Sequence, residues 1–324
     1  MNCESDPKAL HERRRDSYKM ADQRRNDLID ADTNLIYAHL TEKRPCPVCQ
    51  SEESSTVFTK NGGCYVRCST CTMIYLNPVL KDWKLQEYYR NNGISQAESH
   101  SLESEFYQSI YLRGLARVEQ FVRKGSILDV GCSGGFFLDI AKGRGWETYG
   151  IELNLAEFRI AKQKGHVVWN LPLSEVDFDR KFDVITMWDV FEHIKDGQAL
   201  LKSLENLLQV GGVIFLQVPN ATALAPRILQ ERCNMFDGVE HVNLYSPTTL
   251  KHIAKRGNLE VLHMETVIDE LKVIKQYLGY KDPYFGDFLD LEDPSLSFLT
   301  SDLIHRLQLG YKIQCVLHPA SSVE

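Results

Sequence analysis

Residues 127–140 read ILDVGCSGGFFLDI: an apolar run, a cluster of small residues, then a second apolar stretch. SILDVGC, from residue 126, has the continuity of a buried strand, and GGFFLDIAKGRG behind it has helical spacing. Small residues at such a turn let the backbone approach a ligand, and the helix start adds N–H groups without helical partners. The alternation continues outward. ETYGIELN reads as a second strand, AEFRIAKQKG as a helix, HVVWN as a third strand and FDVITMWDV as a fourth. GQALLKSLENLLQVGG follows as a helix and VIFLQVPN as a fifth strand. SPTTLKHIAKRGNLEVLHMETVI adds a helix and a strand, and GYKIQCVLHP supplies a last edge strand. Strands alternating with helices predict parallel βαβ units in a doubly wound α/β sheet.

Glu152 lies 21 residues beyond Gly131, at the end of the second strand. A carboxylate there accepts both hydroxyls of a ribose, which fits any nucleoside cofactor. A dinucleotide fingerprint would be G-x-G-x-x-G. Here Ser133 takes the middle place and Phe136 stands where the last glycine belongs, which argues against an NAD-dependent oxidoreductase.

The stretch instead resembles motif I of class I S-adenosylmethionine-dependent methyltransferases, with Gly131, Ser133 and Gly135 as its G-x-G-x-G. YGIELN resembles the second motif of that family, FDVITMWDVFEHI its fourth-strand segment, and LLQVGGVIFLQVPN its helix-to-strand turn. The ordered set covers about residues 124 to 265 and implies a Rossmann-like seven-stranded sheet. Carried over by position, it implies Asp129, Gly131, Cys132, Ser133 and Gly135 around the methionine part of the cofactor. It implies Glu152, beside Leu153, on the ribose, and Asn170 and Leu171 flanking the adenine. Trp188 and Asp189 would line the cofactor's inner side.

Residues 7–40 are charged throughout, free of glycine and loosely helical in spacing, and Pro45 closes them. The next stretch changes character. Cys46-x-x-Cys49 and, eighteen residues on, Cys68-x-x-Cys71 match a four-cysteine zinc site, in which each turn aims two thiolates at one ion. Such a closed site is structural, and metal binding would supply folding free energy that so short a module lacks. A redox pair is the rival reading, although one C-x-x-C would suffice for it. Cys64 is spare. The resulting division is 1–44 as an N-terminal helical segment, 45–80 as a zinc-ribbon-like module and 81–123 as a helical linker or lid. Residues 124–270 form the S-adenosylmethionine-binding domain, and 271–324 a C-terminal extension completing the sheet or the acceptor site. An N-terminal zinc module ahead of such a domain resembles enzymes that modify sugars, polysaccharides and natural products.

Bulk composition narrows the partners. With 43% hydrophobic and 25% charged residues the chain is an ordinary globular one. A net charge of -7 argues against a nucleic-acid partner, despite five arginines in HERRRD and DQRRND. No stretch approaches the roughly 20 apolar residues that span a bilayer. Nine cysteines without an export signal read as thiols or metal ligands, so a cytoplasmic location is expected.

Two Glu-His pairs remain, Glu192-His193 after the fourth strand and Glu240-His241 beyond the fifth. Both fall at the carboxyl edge of the sheet, where open α/β folds bind ligands. Methyl transfer to a hydroxyl needs alignment and removal of a proton, a task that suits histidine. Deoxysugar C-methyltransferases have a catalytic Glu-His in a segment resembling GVEHVNLYSP, which implies Glu240 and His241. The tyrosine of that motif, two places before the Glu, is here Gly238. Small-RNA 2′-O-methyltransferases instead bind a divalent metal through acid-x-x-Glu-His and a later His. Asp189, Glu192 and His193 have that spacing on one helix face, with His241 completing the set and a second divalent metal as the consequence. The bland alternative makes the first pair a helix cap. Tyr107 and Tyr111 are candidates to reach the cofactor or acceptor, yet two aromatics at helical spacing are core residues first.

The expected protein is therefore a zinc-containing, S-adenosylmethionine-dependent methyltransferase acting on a small-molecule or glycan-type acceptor, with O-methylation assisted by histidine. Its rivals are a C-methyltransferase of a nucleotide-linked deoxysugar, a metal-dependent RNA-end 2′-O-methyltransferase and a non-catalytic cofactor-binding module.

Overall fold

The computed structural model of the chain describes residues 23–90, 104–279, 281–284 and 296–320. A small module comes first. Strands β1 (Thr41–Glu42), β2 (Ser54–Lys60), β3 (Gly63–Cys68), β4 (Ile74–Leu76) and β5 (Val79–Leu80) precede helices α1 (Asp82–Arg90) and α2 (Ser104–Val118). β2 and β3 form a hairpin whose two-residue turn, Asn61-Gly62, has positive φ at both positions (48° and 77°), the turn that matches strand twist.

The large sheet then runs β6 (Ser126–Val130), α3 (Phe136–Gly143), β7 (Glu147–Ile151), α4 (Leu155–Gln163), β8 (Val167–Trp169) and β9 (Phe182–Trp188). It continues with α5 (Gly197–Asn206), β10 (Leu208–Pro219), α6 (Leu224–Leu229), β11 (Asn243–Leu244), α7 (Pro247–Arg256) and β12 (Leu259–Val267). Helices α8 (Leu271–Leu278) and α9 (Ser301–Arg306) lead to β13 (Lys312–Pro319). The strand order is β12-β13-β10-β9-β6-β7-β8, a seven-stranded doubly wound sheet in which β13 alone runs against its neighbours. All five residues of β6 are buried, as expected of a strand covered on both faces. α2 closes one face through Ile110, Tyr111, Leu115 and Val118. No helix among the described residues is long and apolar enough to cross a membrane.

Three sequence expectations need correction. GYKIQCVLHP is not an edge strand: β13 lies between β10 and β12, with Ile313, Cys315, Val316 and Leu317 fully buried. Its apolar residues point to both faces, the signature of an interior strand. Residues 27–40 are not a helix. One helical turn over 23–26 gives way to an Ile29–Ile36 bridge and a 3₁₀ turn, Ala38–Leu40. Short polar side chains compete with helical bonding here: Asp30 accepts from Asp32 N at 2.9 Å and Thr33 from Leu35 N at 3.3 Å. The helix expected over GQALLKSLENLLQVGG stops at Asn206, and LLQVGG enters β10 through an irregular register between Leu208 and Val213. The remainder of the N-terminal helical expectation, residues 7–22, and residues 91–103 of the expected helical linker lie outside the described residues.

The unforeseen element is β11. Two residues, Asn243 and Leu244, pair antiparallel with Tyr75 and Ile74 of β4 and complete a four-stranded sheet, β11-β4-β3-β2. One apolar core holds Cys46, Val48, Met73 and Tyr75 of the module together with Leu128, Phe191, Leu216 and Tyr245 of the large domain. The two parts therefore share an interior.

Candidate active site

The turn after β6 is built from left-handed residues: Gly131 (φ 81°), Ser133 (φ 50°) and Gly135 (φ 79°). A Cβ on Gly131 would lie 2.6 Å from Val190 Cγ2, so the loop is packed against the segment that follows β9. Ser133 is the one non-glycine of the three, and left-handed backbone costs it on the order of 1 kcal/mol. Its hydroxyl donates to Glu157 Oε2 at 2.7 Å, which holds the side chain down in α4 and leaves the loop's upper face to backbone. Cys132 is buried against Gly150 and fills space.

Glu152 ties two loops together. Its carboxylate accepts from Ser133 N at 2.8 Å and from Asn154 N at 2.7 Å, one bond per oxygen, so lone pairs remain for a diol. Asn170 donates to the carbonyls of Glu152 (2.7 Å) and Leu153 (3.0 Å), which brings the third strand's loop alongside. Leu153 and Leu171 are 40% and 43% exposed, unusual for leucines beside so much buried surface. Asp129 is 2% exposed at the end of β6 and accepts from Thr186 Oγ1 at 2.7 Å; burial pushes its carboxyl up to about 8. A carboxylate with spare lone pairs, two exposed leucines flanking it and a buried acid near the glycine loop form a donor set that fits a nucleoside bearing a cationic tail. Trp188, expected on the cofactor's inner side, is set in an aromatic cluster at the end of β9. It is packed edge-on against Tyr111 (4.6 Å) and tilted over Phe215 (4.5 Å), at 8% exposure. Tyr107 joins the same aromatic cluster through Tyr111.

Beyond β9 the chain bends at Asp189 (φ 56°) into a 3₁₀ turn, Phe191–His193. That bend removes the shared helix face expected of Asp189, Glu192 and His193. Asp189 turns to the C-terminal strand, with Lys312 Nζ at 2.9 Å and Gln217 Nε2 at 3.1 Å, and Gln314 donates to Gln217 in turn at 2.9 Å. Glu192 is fully buried, and among the described residues neither of its oxygens has a hydrogen-bond partner. Burial, with Asp189 nearby, holds its carboxyl well above the usual carboxylate range.

The two histidines meet. The rings of His193 and His241 have centroids 4.9 Å apart at 62°. His193 Nδ1–H donates to the Glu240 carbonyl at 2.9 Å, and the Tyr89 hydroxyl lies 3.1 Å from the same nitrogen and 3.2 Å from the same carbonyl. His241 Nδ1–H donates to the Met235 carbonyl at 2.7 Å. In both rings the proton therefore sits on Nδ1, and Nε2 keeps its lone pair. Burial and the neighbouring His241 push His193 down to about 4, so it is a neutral base at pH 7. Ligand atoms of Glu192, His193 and His241 lie within 4.8 Å of one another. The Glu240 side chain is not in that group, and its carboxyl is pushed up to about 7 by burial and by Asp237.

The four cysteines also converge. Their sulfurs lie within 4.8 Å of one another, with Cys46–Cys71 and Cys49–Cys68 at 3.5 Å. A tetrahedron of zinc–sulfur bonds has edges of about 3.8 Å, so the set fits the ion with little movement. The same turn is used twice. Gln50 N donates to Cys46 O and Thr72 N to Cys68 O, and both Gln50 and Thr72 have φ of 64°. The described cysteines are all free thiols.

The structure thus brings together Glu192, His193 and His241, sets Glu152, Asn170, Leu153 and Leu171 around one loop, and leaves Asp189, ion-paired with Lys312, outside the converging ligand atoms. Sequence reasoning missed Tyr89, Asp237 and Lys312. Asp237 carried a signal, the Asp-Gly turn immediately ahead of Val239-Glu240-His241. Lys312, inside a strand, carried none.

A family profile described as a methyltransferase domain matches residues 103–264, half of the chain. Among curated proteins, the ubiquinone biosynthesis O-methyltransferase of Glaesserella parasuis is 30% identical over 111 residues, 31% of this chain and 47% of that protein. The enzyme of the same name from Histophilus somni is 31% identical over 108 residues, 30% of this chain and 45% of that protein. The chain therefore spans about half the length of the curated relatives it matches. Among solved structures, the magnesium protoporphyrin IX methyltransferase of Synechocystis PCC 6803 with bound SAH superposes with a TM-score of 0.48 at 12% identity. That match covers 73% of this chain and 99% of the other.

Proposed function

From a chain that belongs to the methyltransferase-domain family, we propose an enzyme that moves the methyl group of S-adenosylmethionine to a hydroxyl of a small-molecule or glycan-type acceptor. When bound, the cofactor supplies a methyl group on an already activated sulfonium. What the chain must add is alignment and a base. Glu152 would accept the ribose hydroxyls, Leu153 and Leu171 would cover the adenine, and Asp129 would face the cationic methionine part. Four thiolates, Cys46, Cys49, Cys68 and Cys71, would hold one structural zinc ion. The reducing cytoplasm suits them.

One observation carries the acceptor site. The rings of His193 and His241 meet, and among the described residues neither Nε2 makes a hydrogen bond, next to the segment that packs on the glycine loop. A hydroxyl placed between them would lose its proton to one ring as the methyl group arrives. His241 is the better-placed base, because it is partly exposed and its ring is oriented by the Asp237 carboxylate at 3.4 Å. The names of the curated relatives favour oxygen as the methylated atom.

A second reading has an observation of its own. The fully buried Glu192, whose carboxyl has no hydrogen-bond partner among the described residues and has two histidine nitrogens close by, also suits a divalent ion. The ion would then align the hydroxyl and lower its pKa, and activity would depend on an added metal.

Calorimetry with S-adenosylmethionine, followed by turnover of methyl-labelled cofactor with a small-molecule extract, tests the proposal. Glu152→Ala is expected to abolish binding. His241→Ala is expected to keep binding and to lower turnover by about 10²-fold or more. Failure of the wild type to bind S-adenosylmethionine would sink the reading.

A further inference from the structure

Residues 233–244, which carry Glu240 and His241, are built against the cysteine module. Lys60 Nζ donates to Cys233 O at 3.0 Å and Asn61 Nδ2 to Asp237 O at 3.1 Å. Gly238 N donates to the Tyr65 hydroxyl at 3.0 Å. At the far end Leu76 N (3.0 Å) and Arg44 Nη2 (2.7 Å) both donate to Val242 O, and β11 pairs with β4. The backbones touch in the middle. A Cβ on Gly63 would overlap the Gly238 carbonyl, and Gly238 itself is left-handed (φ 86°). Phe58 and Tyr65 close edge-on over Phe236, with centroids at 4.8 and 5.1 Å.

Within the segment, Asp237 accepts the N–H groups of Val239 and Glu240 at 2.7 Å and of His241 at 3.1 Å. The ring of His241 is aimed by Met235 O and Asp237, and residues 235–238 are held by the β2–β3 hairpin. We propose that this hairpin is the positioning device for His241, with Tyr65 as its positioning residue. Tyr65 is fully buried and its ring is locked by aromatic neighbours, so its oxygen is a rigid anchor for the Gly238 N–H. This also gives Gly238 its reason: a larger residue there would push the hairpin away. The proposal rests on the reading that His241 serves the acceptor.

The test uses the full chain, metal-loaded and ¹⁵N-labelled at histidine. Tyr65→Phe keeps the ring and removes the oxygen, and Gly63→Ala forces the two backbones apart. In Tyr65→Phe the two ring nitrogens of His241 are expected to lose their distinct Nδ1–H tautomer signature and move toward averaged positions. His252, exposed on α7, is expected to stay put, and S-adenosylmethionine binding to remain that of the wild type. An unmoved His241 in both variants overturns the proposal. So does a general shift of all histidines with cofactor affinity down more than about tenfold, which marks plain destabilisation. A wild type that shows the tautomer signature yet binds no S-adenosylmethionine leaves the hairpin's role intact and defeats the methyltransfer reading instead.

Discussion

If Asp129 faces the cofactor as proposed, one buried group sets the conditions of binding. At 2% exposure its carboxyl is held at about 8 by burial, against an ordinary value of 3.8. Below that pH it is neutral, and a cationic ligand gains little from it. Cofactor affinity is therefore expected to rise with pH through about 8 and then level, with proton release on binding at neutral pH. Asp129→Asn should flatten the profile, and calorimetry in two buffers of different ionisation enthalpy reads both effects. An affinity that is flat across that range in the wild type would refute the assignment. At this scale the residues were legible where the backbone demanded them. Gly131 and Gly135 were marked by their type because only glycine takes their φ without cost. The packing of Trp188 was not legible, because its neighbours Tyr111 and Phe215 come from a distant helix and strand, which sequence spacing does not reveal.

At the scale of elements, α2 is fastened to β12 by a small charged cluster. Glu265 accepts from Arg117 Nε at 2.7 Å and from Arg113 at 2.6 Å. Burial alone would raise the Glu265 carboxyl, but the two guanidiniums outweigh it and hold it at about 2. A depressed carboxylate pKa contributes stability above its unfolded value of about 4.5, and that stability is lost as pH falls toward 2. Because both arginines are substantially exposed, the contribution is about 1–2 kcal/mol after screening. Glu265→Gln is expected to lower unfolding free energy by that amount at pH 7 and by about a quarter of it at pH 2.5, as denaturant titrations at the two pH values would show. A difference that persists undiminished at low pH would point to packing instead. Strand and helix order were readable from alternation along the chain. The interior place of β13 was not, because the last strand of the chain inserts beside β10 and leaves the earlier β12 at the edge, a choice made by long-range pairing.

For the whole molecule the decisive fact is a core shared between the module and the large sheet. If the four thiolates hold zinc as proposed, loss of the ion should loosen more than the small module alone. Loaded protein is expected to carry one zinc per chain by elemental analysis. Removing it with a chelator, or replacing Cys68 by Ala, should lower the melting temperature of the whole chain in a single transition. A separate low-temperature transition with the main one unchanged would show that the module folds by itself. The sequence alone determined the βαβ order, the glycine turn with its acidic partner and the two C-x-x-C turns. Each of these is a local pattern, written by backbone conformation, hydrophobic period or ligand spacing over a few residues. Tertiary structure alone decided that His193 meets His241, that Asp189 turns to Lys312 and that two residues of β11 seal the cysteine module. Those contacts join residues far apart in the chain, and only packing determines where they meet.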